Sequence, residues 1–199
     1  MIDDRVVSDA ALLRHALQRA QGLPPAEVIS WLRWPVSLLR GLPFQGAVYR
    51  WPDPEGSTSE LVMLSTSASA TLAQAYLEVA DLQGVMWATG QGLRVLPGDE
   101  ELIALRMRAR GRQGDFVALR QEWDSYERVL ADEWAGGRPS LMLHNLRREL
   151  LEDRSRQLLA RCSAVAMTCR TGRPVALATV FASSNSTFTR CSATLTRTS

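Results

Sequence analysis

Between Leu61 and Leu130 the apolar residues recur every three or four positions, and a helix-break-helix unit returns after 34 residues. Ala80-Asp81-Leu82 recurs as Gly114-Asp115-Phe116, and at the same offset Val85 meets Leu119, Val95 meets Val129 and Leu96 meets Leu130. The short break implies two packed antiparallel helices. A repeated pair of this kind cannot bury its apolar face alone, so the pattern predicts an all-α array in which neighbouring pairs share a core. The repeat is degenerate, since Leu72 and Tyr76 meet Arg106 and Arg110.

The flanking sequence supplies further helices. Ser8 precedes a stripe of Leu12, Leu13, Ala16, Leu17 and Ala20 that ends at Gly22-Leu23-Pro24-Pro25, predicting a helix over 8–21. Pro25 suits the first turn of a second helix with Val28, Ile29, Trp31 and Leu32, restarted or kinked at Pro35 before Gly41. A Pro/Gly-rich loop from Gly41 to Gly56 holds Tyr49 and Trp51, as plugs between helices or as exposed anchors. Ser57-Thr58-Ser59-Glu60 has capping-box spacing and predicts the start of a long helix through Leu61, Leu64, Ala68, Leu72, Ala75, Tyr76 and Val79. Beyond Pro97, Asp99-Glu100-Glu101 charges a new helix start. The next helix carries Leu119, Trp123, Tyr126, Leu130 and Trp134 on one face, with Asp124 and Arg128 paired at i,i+4. Gly136 to Ser140 ends it and starts a last helix through Leu143, Leu146, Leu150 and Leu151.

Charge divides the chain at about residue 153. Residues 1–153 hold 16 Arg against 21 acids, whereas 154–199 hold 7 Arg, no acid and 15 Ser or Thr. The acidic body disfavours sequence-independent binding to phosphate backbones, which needs clustered positive charge. Every basic residue other than histidine is Arg, a pattern expected of a very GC-rich genome. No stretch approaches the ~18 apolar residues of a membrane span and the N-terminus lacks a secretory pattern, so a cytoplasmic location is expected. Cys162, Cys169 and Cys191 have neither disulfide-framework nor zinc spacing.

Signals for catalysis are missing where chemistry would need them. His15 and His144 lie on separate predicted helices outside any metalloprotease or hydrolase pattern. Gly90-Gln91-Gly92 sits within a helical stripe and fails the dinucleotide fingerprint. The expectation is therefore a non-enzyme with no catalytic residue, no metal and no cofactor. Arg106, Arg108, Arg110 and Arg112 form no single basic stripe, because alternate helical residues diverge by about 200°. Dipole complementarity and solvation account for them first, and a protein partner second. Trp31, Trp87, Trp123, Tyr76 and Tyr126 occupy or adjoin stripe positions and are expected in the core.

The 34-residue helix pair is the period of tetratricopeptide repeats. A more specific likeness runs from Leu93-Arg94-Val95-Leu96-Pro97-Gly98-Asp99-Glu100-Glu101-Leu102 through Arg112-Gln113-Gly114-Asp115 and Tyr126-Glu127-Arg128-Val129-Leu130 to Arg138-Pro139-Ser140. With Arg40-Gly41-Leu42-Pro43-Phe44 and its Trp-containing loop, the chain over about 8–152 resembles the bacterial transcriptional activator domain of actinobacteria. The resemblance implies a tetratricopeptide-like, right-handed array of about six or seven helices. It also implies a regulatory module that in relatives follows a winged-helix DNA-binding domain or accompanies LysM segments. Fewer than ten residues precede the first helix here, so no direct DNA binding by this chain is expected. By position, the repeat's inward-facing residues are Ser67, Ala70, Gln74, Leu77 and Glu78, then Glu101, Ala104, Arg108, Gly111 and Arg112. Gln74, Glu78, Arg108 and Arg112 are the expected lining of a partner-binding groove.

The functional expectation is a non-catalytic protein-interaction module of a bacterial transcriptional regulator, serving self-association or the sensing of a partner or effector. The other reading is a scaffolding helical module of a larger, LysM-associated actinobacterial protein. Residues 153–199 are expected to be a largely disordered Ser/Thr/Arg-rich tail, with 175–182 as a short apolar run. So abrupt a change of composition reads either as a shifted reading frame or as a basic tail that contacts membrane or nucleic acid.

Overall fold

Five helices begin by the same device: a short side chain accepts from the backbone N–H three residues on, satisfying a donor the helix itself leaves free. Ser8 caps through Ala11 (3.2 Å), Asp81 through Gly84 (2.9 Å), Asp99 through Leu102 (3.0 Å), Asp115 through Ala118 (3.0 Å) and Ser140 through Leu143 (3.3 Å). The computed structural model describes residues 7–45, 56–133, 137–153 and 156. The helices are α1 (Asp9–Ala20), α2 (Pro25–Ser37), α3 (Ser57–Glu78), α4 (Leu82–Val95), α5 (Glu100–Gln113) and α6 (Phe116–Glu133), with α7 over 141–153. The protein is all-α, with no strand among the described residues. The chain divides into two units, Met1–Ser155 and Arg156–Ser199, and α1 to α7 lie within the first. Tyr49, Trp51, Trp134 and nearly all of the tail lie outside the described residues.

Packing follows chain order. Helices α1 and α2, α3 and α4, and α5 and α6 pack as pairs, and each even helix up to α4 also packs on the next odd one. The first helices of successive pairs touch as well, α1 on α3 and α3 on α5. One core gathers Leu13, Leu32, Val36, Leu72, Tyr76 and Val85 with Leu102 and Leu105 of α5. A second joins Ile103 and Met107 of α5 to Leu119, Trp123 and Tyr126 of α6 and Leu143 of α7. Helix α5 is thus buried from two sides and couples the two cores.

The 34-residue period is present in the backbone hydrogen bonds. After α3, Ala80 takes a left-handed conformation (φ 59°), its N–H donates to the Leu77 carbonyl, and the Asp81 N–H donates to the Tyr76 carbonyl at 2.9 Å. After α5, Gly114 does the same (φ 72°): its N–H meets the Gly111 carbonyl, and the Asp115 N–H meets that of Arg110 at 3.1 Å. Both turns end an α-helix by satisfying late carbonyls and at once cap the next helix with an aspartate.

Four local expectations need correction. Pro35 does not restart α2, which continues to Ser37 with Pro35 buried inside it. The capping box does not form, because Gly56 rather than Ser57 precedes the first turn of α3 and Glu60 instead meets Arg14 of α1 at 2.5 Å. Val79 follows the end of α3 and is 47% exposed, outside the buried stripe. The Arg128 Nε donates to the Asp124 backbone carbonyl at 3.3 Å, in place of the expected side-chain pair.

Candidate partner-binding surface

Residues spaced by four and seven share a helix face, so Ser67, Gln74 and Glu78 line up on α3, as do Glu101, Arg108 and Arg112 on α5. All six are exposed, and the two helices are in contact. Gln74 Nε2 donates to Glu78 Oε1 at 3.1 Å. Arg112 Nη1 crosses between the helices and donates to the Leu77 carbonyl at 2.5 Å. That bond fixes the C-terminal ends of α3 and α5 together, as a second donor to a carbonyl that the Ala80 N–H also reaches. Arg108 has no hydrogen-bond or ion-pair partner among the described residues and projects from an exposed position. Ala70, Leu77 and Ala104, assigned to the same face by position, are buried beside it. A Cβ at Gly111 would come within 2.9 Å of Leu150, so α7 closes against this end of α5. The face can hydrogen-bond and pair charge.

The other two alternating arginines go elsewhere. Arg106 Nε and Nη2 form a fork on Glu122 of α6, at 2.8 and 2.7 Å, and Arg110 approaches the same carboxylate at 3.7 Å. Arg106 and Glu122 are each about four-fifths buried, so they bind α5 to α6 rather than offering a solvated face. Nearby, the Glu100 carboxylate accepts from the Tyr126 hydroxyl (2.6 Å) and the Ser140 N–H (3.2 Å), joining the starts of α5 and α7 to α6. Burial alone would raise the Glu100 carboxyl, but the bonds from Ser140 and Tyr126 outweigh it and the net shift is downward. Burial, then the Glu100 bond and charge, push the Tyr126 hydroxyl up.

Of the aromatics expected in the core, Trp123, Tyr76 and Tyr126 are buried and Trp87 packs at its edge. Trp31 is not a core residue: it is 38% exposed, with Arg19 over its ring at 5.3 Å and the edge of His15 against it. Trp34, which the sequence reading passed over, is 61% exposed above a shallow hollow that it shares with Arg33, Ile29 and Trp87. The signal was present in the spacing. Val28, Leu32 and Val36 mark the buried stripe of α2, and Trp34 stands two residues from both Leu32 and Val36, on the opposite side. His144 is exposed with its ring 4.8 Å from that of Trp123, whose indole also carries Arg147 at 4.7 Å. Both histidines therefore make aromatic contacts on separate helices and are not paired with each other.

Among the described residues no group of His, Cys, Asp and Glu has the arrangement of a metal site, and no helix is long and apolar enough to cross a membrane. No family model, curated protein or solved structure matches this chain.

Proposed function

We propose that this protein is a non-catalytic protein-interaction module of a bacterial transcriptional regulator, built as a tetratricopeptide-like array of the activator-domain type. One observation carries the reading. Successive helical pairs, related by a repeated 34-residue hydrogen-bond pattern, set the exposed polar faces of α3 and α5 side by side. Gln74, Glu78, Arg108 and Arg112 are the residues that would read a partner segment, with Arg108 the contact for an acidic side chain.

The test is capture of partners from a GC-rich actinobacterial lysate by the full chain, beside its Arg108→Glu and Trp34→Ser variants. Recovery of transcription machinery by the parent and the Trp34 variant, and its loss with Arg108→Glu, is the expected result. Capture of envelope or secretion proteins instead would overturn the regulatory role, and loss with Trp34→Ser alone would move the contact to the α2 surface.

A further inference from the structure

The N-terminal end of α1, the C-terminal end of α2 and the first turns of α3 enclose a cleft of about 450 Å³, within the size range of small-molecule sites. Leu13, Leu39, Leu61 and Leu64 give it an apolar wall, and Asp9, Arg40, Gln45 and Ser65 add polar groups to the lining. The segment that follows α2 forms one lip. There Leu42 is 44% exposed and Phe44 holds a left-handed backbone (φ 59°), a conformation costly for a residue with a bulky side chain.

Among the polar groups of the cleft, Ser65 and Asp9 make local bonds. Ser65 Oγ donates to the Leu61 carbonyl at 2.7 Å, and the Asp9 carboxylate accepts from the Ala10 N–H at 2.9 Å. Arg40 differs: it lines the cleft, is exposed, and has no hydrogen-bond or ion-pair partner among the described residues. A cleft with leucines on part of its lining and an uncommitted guanidinium at its mouth suits a ligand of both characters, because a carboxylate can engage the guanidinium fork while its chain leaves water.

We infer that this cleft binds a small amphipathic carboxylic acid, its apolar body against the leucines and its carboxylate on Arg40. The inference is independent of the protein-interaction reading, since none of its residues belongs to the α3 and α5 face.

Calorimetric titration of the full chain with sodium decanoate, and separately with decylamine hydrochloride, tests it. Decanoate is expected to saturate one site per chain and decylamine to bind at least tenfold more weakly. Arg40→Gln should weaken decanoate about tenfold, the scale of one charge-assisted hydrogen bond, and erase the preference over the amine, while Arg40→Lys keeps part of it. Ala10→Trp fills the mouth from α1 and should abolish binding with the helical circular dichroism spectrum unchanged. If that variant does not fold, the Arg40 pair decides alone. Equal binding of acid and amine, binding indifferent to Arg40→Gln, or no saturable binding of decanoate overturns the inference.

Discussion

The helical pairs α3–α4 and α5–α6 share a turn geometry and an apolar frame, yet they are joined by opposite chemistries. In the first pair Tyr76 lies against Gly84, so closely that a Cβ there would fall 2.3 Å from its ring, and Gly92 brings α4 onto Ser69. Thirty-four residues on, Tyr76, Gly84 and Gly92 become Arg110, Ala118 and Tyr126, while Leu72 and Ala88 become Arg106 and Glu122. The second pair is held by the Arg106 fork on Glu122 and the Tyr126 bond to Glu100. The frame beneath is the same: Ala68 and Leu102, Ala73 and Met107, and Val85 and Leu119 are all fully buried at matching positions. A repeat therefore constrains the positions that face both neighbours, while the contact between its own two helices is free to exchange apolar closeness for a charged clamp.

Breaking the clamp should have the largest effect. Glu122→Ala leaves Arg106 and Arg110 without their shared carboxylate in a mostly buried setting, and a loss of about 3 kcal/mol is expected from urea denaturation. Transplanting the first pair's chemistry with Arg106→Leu, Arg110→Tyr, Ala118→Gly and Glu122→Ala should recover most of that loss, because replacing a buried ion pair by packed apolar groups is commonly neutral. If the fourfold variant is no more stable than Glu122→Ala, the two contacts are not interchangeable. In the first pair, Gly84→Ala drives a methyl into the Tyr76 ring and is expected to cost about 2 kcal/mol by overpacking, although alanine is the better helix former.

The polar link of the second pair also predicts a dependence of stability on pH at the acid end. Folding lowers the Glu100 carboxyl below its ordinary value of 4.5, so its contribution to stability is complete above that value and fades as pH falls through the lower, folded one. Glu100→Gln should remove about 1.5 kcal/mol at pH 7, a hydrogen bond to a charged group, and flatten the acid limb of a plot of stability against pH. An acid limb unchanged by the substitution would assign it to other carboxylates.

The frame was legible in the sequence because burial on helices leaves a regular trace. The stripes of α1, α3 and α6 and the breaks at Asp81 and Asp115 follow from spacing alone. What escaped are pairings between helices. Nothing local tells Glu60 to reach Arg14 rather than its own helix start, or directs Arg106 and Arg110 inward to Glu122 when the same residues read as a solvated last turn. Trp31 adjoins the stripe at Leu32 but lies about a quarter turn from it, and in that geometry Arg19 and His15 cover only part of it. The groove positions Gln74, Glu78, Arg108 and Arg112 were placed by repeat register, whereas the bond from Arg112 to the Leu77 carbonyl depends on how α3 and α5 meet.

The turns offer the smallest and sharpest separation of the two pairs. They make the same hydrogen bonds, but Ala80 holds at φ 59° the conformation that Gly114 holds at φ 72°. An L-residue pays roughly 1 kcal/mol to sit there, because its Cβ crowds the adjacent carbonyl, while glycine does not. Ala80→Gly should therefore stabilise the protein by up to about 1 kcal/mol, less what glycine adds to the entropy of the unfolded chain. Gly114→Ala should destabilise by a similar amount, with open space around the new methyl, so that the backbone alone sets the cost. Thermal melts of the two variants and of the double exchange test this directly. If the turns are equivalent, the exchange leaves stability near the parent's. If instead Ala80→Gly destabilises, Ala80 contributes through the unfolded state or a side-chain contact, and the likeness of the turns stops at their hydrogen bonds.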